Sequence, residues 1–135
     1  GGSMPRLAVD TNVLARGLVD DGSEQAMRSR QCMIENEVFV SDTVLLETEW
    51  LLRSRMNLDR QQINSLFSGL LATPNAHFSN RESIVEAIIA HQAGFDFADA
   101  LHLVGAGGCD AMVTFDRNFI RLARKNESSV QVRTP

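Results

Sequence analysis

The sequence predicts a single α/β domain built on a central parallel sheet of about five strands, flanked by helices on both faces. Three observations lead there. Short apolar runs alternate with longer segments of helical period, the order that builds parallel sheets rather than hairpins. The length, 135 residues, suits one hydrophobic core and is short for two. No low-complexity linker divides the chain, and no repeat of roughly 20 to 50 residues is present.

Each element has a local reason. Leu7-Ala8-Val9 is an apolar run that ends at Asp10, and a helix follows from about Val13. Ser23 is a good N-cap for a helix to Glu35. Val38-Phe39-Val40 reads as the second strand, followed by a helix from about Asp42 to Met56. Asp59 caps a helix that stops before Thr73-Pro74, and Ala76-His77-Phe78 reads as a short edge strand. Asn80 caps a helix reaching Gly94. Asp96 caps one that ends at Gly105, Gly107 and Gly108. Ala111 to Thr114 forms a strand that stops just before Asp116, a last helix runs to about Asn126, and Val130-Gln131-Val132 closes the chain. In a parallel sheet with right-handed crossovers the strand C-termini share one edge, and sites of such folds collect there.

Composition narrows the class. No apolar run approaches the roughly 18 residues of a membrane helix, and no basic stretch precedes an apolar one as in a secretory signal, so a cytoplasmic protein is expected. Gly1-Gly2-Ser3 reads as an expression-tag remnant before Met4, leaving residues 4–135 as the domain. Cys32 and Cys109 lack metal-ligand spacing and are expected to be free, buried thiols. Thirteen bases, twelve of them Arg, face seventeen acids, for a net charge of −4. On charge alone a polyanionic partner is disfavoured. That objection changes once the acids are placed, because setting aside four metal-binding acids leaves thirteen against thirteen.

Four acids stand out. Asp10 follows the first strand in Val9-Asp10-Thr11-Asn12-Val13-Leu14, and Asp116 repeats the pattern in Thr114-Phe115-Asp116-Arg117-Asn118-Phe119. Either acid alone can be a helix cap. Two strand-end acids, each with Asn two residues on, favour a shared site. Glu47 has Val44, Trp50 and Leu51 as helical neighbours and no base within a turn, which predicts an acid on an apolar face. Glu49, with Arg53 at i+4, reads as an ordinary surface pair. Asp99 lies three residues beyond the cap Asp96, and His102 could donate to it, although a structural role suits His102 better. His77 and His91 have no constellation around them. Carboxylates gathered on one edge repel and raise one another's pKa values unless a cation intervenes. Hard oxygen ligands without Cys or His suit Mg²⁺ or Mn²⁺, and such ions assist phosphodiester hydrolysis.

These four segments in this order resemble the PIN-domain family, and within it the VapC-type toxins of toxin–antitoxin pairs. The resemblance implies a PIN-like domain with Mg²⁺- or Mn²⁺-dependent endoribonuclease activity. It implies Asp10, Glu47 and Asp99 as the core metal ligands, with Asp116 completing or supporting the site. Asn12 would hold the first acid, and Thr114 would orient a water or ligand near Asp116. It further implies a homodimer, an RNA substrate and a VapB-like antitoxin partner. Arg16 and Arg117 are candidate phosphate contacts, as are Arg53, Arg55, Arg121 and Arg124, with solvated surface charge the plain alternative. A haloacid-dehalogenase-like phosphatase would need a second Asp where Asn12 stands, and a receiver domain would need a Lys at a late strand end, whereas Lys125 is the only Lys. Two alternatives stay open: a non-catalytic PIN-like interaction domain whose acids only cap helices, and a PIN nuclease outside any toxin–antitoxin pair.

Overall fold

A computed structural model describes residues 5–135, so the expected tag remnant, Gly1–Ser3, lies outside the described residues. The fold is α/β, with seven helices and five strands among the described residues, every strand pair parallel. The strands pair as a three-stranded ladder and a separate two-stranded one rather than as one continuous five-stranded ladder. The chain divides by its packing into two compact units, Gly1–Arg81 and Glu82–Pro135. Each strand is only three or four residues long.

The first unit holds β1 (Arg6–Ala8), α1 (Thr11–Leu18), α2 (Glu24–Glu35), β2 (Glu37–Val40), α3 (Asp42–Ser54), α4 (Arg60–Leu71) and β3 (Ala76–Phe78). Strand β2 is central, pairing Leu7 with Val38 on one side and Ala76 with Val38 on the other. Val38 and Val40 point into the core, while Glu37 and Phe39 are half-buried, as strand alternation requires. Strand β3 is an edge strand of this sheet, as the sequence predicts. Helix caps explain most boundaries. Ser23 accepts the Ala26 amide, Ser41 accepts the Val44 amide, and Asp59 forms a capping box with Gln62. Helix α1 begins at Thr11, two residues before the predicted start, because the Asp10 carboxylate already accepts the Val13 amide. Gly17 lets α1 approach α2, since a Cβ there would collide with the Met33 sulfur.

Helix α3 corrects the sequence reading. Its buried stripe is Leu45, Thr48, Glu49 and Leu52, the i, i+3, i+4, i+7 spacing of one helix face. Glu49 is 2% exposed and accepts from Arg53 Nε at 2.8 Å, so it is a buried ion pair and not the expected surface pair. Glu47, expected on the apolar face, is exposed. Its neighbour Trp50 is half exposed and lies near the Arg55 guanidinium, 5.7 Å from the ring centroid. His77 also differs from expectation, since its Nε2 pairs with Glu37 at 2.7 Å across β2 and β3.

The second unit contains α5 (Arg81–Gln92), which begins at the boundary, α6 (Phe97–Gly105), β4 (Ala111–Val113), α7 (Arg117–Lys125) and β5 (Gln131–Arg133). Strands β4 and β5 pair from Ala111–Gln131 to Val113–Arg133. The core joins Ala87, Phe95, Ala100, Phe119, Leu122, Ala123 and Val132. Phe95 and Phe119 meet edge to face at 5.9 Å, a favourable aromatic geometry. Cys32 and Cys109 are both free, as expected, but Cys109 is exposed rather than buried because it sits in the turn after the glycines that end α6. No helix among the described residues is long and apolar enough to cross a membrane.

Candidate active site

In the first unit, β1 and β2 run parallel, so their C-terminal ends share an edge of the sheet. Asp10 lies two residues beyond β1, and α3 starts two residues beyond β2. A hydrogen bond joins the two connections: Thr11 Oγ1 donates to Glu47 Oε2 at 3.3 Å. Thr11 was not among the residues singled out in the sequence. Its position directly after the strand-end acid is the signal that could have marked it. Asp10 keeps one oxygen on the Val13 amide at 3.0 Å, which leaves the other free to serve a ligand. Asn12 is exposed and makes no hydrogen bond among the described residues, so Asp10 is steadied by the backbone of α1 and not by Asn12 as expected. Asp10 and Asn12 face a cavity of about 520 Å³ whose other walls include Arg16, Gln25, Arg28 and Cys32.

In the second unit, Asp96, Asp99 and Asp116 share one electrostatic neighbourhood. Asp99 is half-buried on the first turn of α6. Burial, then the charges of Asp96 and Asp116, hold its carboxyl above the ordinary carboxylate value, while His102 acts in the opposite direction. Of the four acids expected to repel one another, Asp99 and Asp116 do so here, together with Asp96. His102 is exposed and influences Asp99 through its charge, without the hydrogen bond the sequence allowed. Asp96 occupies the N-cap position of α6, but its side chain makes no capping bond. Its carboxylate is therefore free of the role the sequence assigned to it. Asp116 does cap its helix: Oδ1 accepts the amides of Asn118 at 2.9 Å and Phe119 at 3.1 Å. The Asp116 amide in turn donates to Thr114 Oγ1 at 3.0 Å, so Thr114 braces the turn that carries the acid.

The arginines sort by their partners. Arg16 is tied to Asp21 at 3.1 Å, Arg53 to Glu49, and Arg121 to Asn118 at 2.7 Å, so each would have to leave a neighbour to hold a phosphate. Arg117, at the first position of α7, and Arg28, on the cavity beside Asp10, are exposed without an ion pair among the described residues. Nothing in the sequence separates Arg28 from the other arginines, because the cavity wall it shares with Asp10 is formed by a different helix.

The acids predicted from the sequence are carboxylates, ligands that suit a hard divalent cation. Among the described residues, no cluster of three or more such side chains stands ready-formed to enclose a metal ion. An α/β fold with acids at its strand exits defines a class of proteins that includes many nucleases. The PIN domain model matches residues 7–125, most of the chain and both compact units, and the chain belongs to the PIN domain family. PIN domains are in general metal-dependent nucleases. No curated protein matches the sequence.

Proposed function

We propose that this chain is a Mg²⁺- or Mn²⁺-dependent endoribonuclease that hydrolyses RNA phosphodiester bonds, with Asp10, Glu47, Asp99 and Asp116 as its acids. The observation that carries this reading is Asp99. It is half-buried beside Asp96 and Asp116, and no arginine or lysine pairs with it among the described residues. Elsewhere the fold neutralises a buried acid, as it does for Glu49 with Arg53. An uncompensated acid held against like charges costs stability unless a cation relieves it, and membership of the PIN domain family supplies the reason for one.

Asp10, Glu47 and Asp99 would hold the ion, with Asp116 completing the set. Such an ion, when bound, supplies charge stabilisation at the scissile phosphate and a water of lowered pKa. The chain's own residues do the rest. Thr11 fixes the Glu47 carboxylate from the neighbouring connection. Asp116 is held at Oδ1 by two amides, so its other oxygen keeps a fixed direction from which to orient an attacking water. Thr114 keeps that turn closed by accepting the Asp116 amide. Protonation of the leaving oxygen is assigned to solvent, since the only lysine, Lys125, lies at the far end of α7 from Asp116 and His102 makes no hydrogen bond to the acids among the described residues. Asp10→Asn preserves the cap, since Asn also accepts the Val13 amide, and removes the charge. The variant is expected to fold normally and lose divalent-dependent cleavage of single-stranded RNA. Full activity in it refutes the site.

The biological reading is the toxin of a type II toxin–antitoxin module, cytoplasmic, homodimeric and inhibited by a VapB-like antitoxin. Its support is the combination of the four quoted segments with the family match. A small antitoxin gene beside this one, whose product blocks cleavage, is the expected finding. Without it the chain is a PIN nuclease of another context. One observation favours the non-catalytic alternative: Asp10 and Asp116 both serve as helix caps. That alternative predicts no response to Mn²⁺ in a thermal shift.

A further inference from the structure

The second unit leaves one aromatic side chain in an unexpected place. Phe115 is 84% exposed, more than any other large apolar side chain among the described residues. Four residues later Phe119 is buried and packs against Phe95. Burying a Phe is favourable, and the fold takes that gain at Phe119 and forgoes it at Phe115. Single exposed apolar residues are common on protein surfaces, so exposure alone decides nothing. Its setting is what distinguishes this residue.

Phe115 is held on a rigid turn. The Thr114 amide donates to Arg133 O at 2.9 Å, which fixes the residue before it to β5. The Asp116 amide donates to Thr114 Oγ1, and Asp116 Oδ1 is bound by two amides of α7, which fixes the residue after it. The ring is therefore displayed from a backbone anchored on both sides. The two residues after it are Asp116, the acid proposed for catalysis, and Arg117, an exposed guanidinium without an ion pair among the described residues. An apolar ring, a cation and an acid in three consecutive residues match the chemistry of an unpaired nucleotide next to a cleavage point. Proteins recognise single-stranded RNA by stacking splayed bases on aromatic rings while a guanidinium holds the backbone phosphate.

We propose that Phe115 is a stacking platform for an unpaired nucleobase adjoining the cleaved phosphodiester, with Arg117 holding a phosphate of the same strand. The inference rests on the nuclease reading and adds to it the two residues that hold an unpaired base and its phosphate. Phe115 acts through binding and position, and the reacting atoms belong to the acids.

The test is a titration of full-length protein into a single-stranded RNA carrying 2-aminopurine, in EDTA so that divalent-dependent cleavage is suppressed. Binding is expected to quench the fluorophore through stacking. Phe115→Ala should weaken binding about five- to hundredfold, the range that the loss of one stacked base implies. Phe115→Trp should retain affinity, and Phe115→Leu should fall with Ala, because Leu keeps apolar area without a flat ring. Duplex RNA should bind weakly and equally to all variants. In Mg²⁺, Phe115→Ala should raise KM and leave kcat largely intact. Arg117→Gln should lower the salt dependence of binding by about one phosphate contact.

Unchanged affinity in Phe115→Ala, or a Leu variant equal to wild type, overturns the stacking role. So does a change in oligomeric mass in Phe115→Ala, which would assign the ring to a protein interface. Circular dichroism guards against misfolding at this exposed position. Wild-type protein that neither binds nor cuts RNA overturns the nuclease reading and this one with it. Wild-type protein that cuts RNA, with Phe115→Ala binding equally well, overturns this one alone.

Discussion

Two carboxylates in different parts of the molecule are treated in opposite ways. Glu49, on α3 of the first unit, is almost completely buried and is matched by Arg53, whose side chain lies half in solvent. Asp99, on α6 of the second unit, is half-buried beside the charges of Asp96 and Asp116, with only the exposed His102 acting against them. The first arrangement satisfies an acid that the packing encloses. The second leaves a charge that no arginine or lysine neutralises among the described residues, at an acid proposed above to serve catalysis.

The contrast can be broken at its strongest point first. Replacing Asp99 or Asp10 by Asn should reduce divalent-dependent RNA cleavage by about a hundredfold or more, the scale for losing one preorganised charge at a reacting phosphate. A gel assay with labelled single-stranded RNA measures it. The same assay on Glu49→Gln should show activity close to wild type per folded molecule. Next in size, Arg53→Ala should cost about 2–3 kcal/mol of stability by stranding Glu49 in the core, read from the denaturant midpoint. Glu47→Gln, two residues from Glu49, should leave that midpoint almost unchanged while impairing cleavage, because the Glu47 side is exposed.

A smaller effect concerns pH. The folded-state pKa of Asp99 is raised, so protonation favours the folded form. Its contribution to stability is present below the unfolded value of about 3.8 and is lost as pH rises through the higher folded value. In metal-free protein at neutral pH, Asp99→Asn should therefore melt slightly above wild type, and the difference should vanish at acidic pH. A variant that melts lower at neutral pH would mean that Asp99 is a structural acid like Glu49. The smallest expected change is at Arg28: Arg28→Gln should raise KM a few-fold through loss of one phosphate contact and leave stability untouched.

Much of this was legible in the sequence because it is local. Ser23 and Asp59 cap the helices predicted from them, since a cap depends only on the next three residues. The strand-end acids are equally local. What failed required knowledge of which helix face turns inward. Val44, Trp50 and Leu51 suggested an apolar face around Glu47, yet the core takes the stripe through Leu45, Thr48 and Leu52, so Glu49 is enclosed and Glu47 is not. Asp96 failed for a related reason: it occupies the cap position, but its carboxylate makes no bond to the helix. Strand pairing is also nonlocal, and three-residue strands carry too little pattern to show that the parallel strands form two ladders.

The central claim is the proposal that Asp10, Glu47, Asp99 and Asp116 are acids of a divalent-dependent nuclease. Thermal denaturation of wild type, Asp10→Asn and Asp99→Asn with and without Mn²⁺ tests it most directly, because it reads ion binding without relying on any RNA. The account predicts that wild type is stabilised by about 2–3 kcal/mol at a hundredfold excess over Kd, a rise of several degrees, and that neither variant responds. A wild type indifferent to Mn²⁺, or variants that respond as fully as wild type, would contradict it.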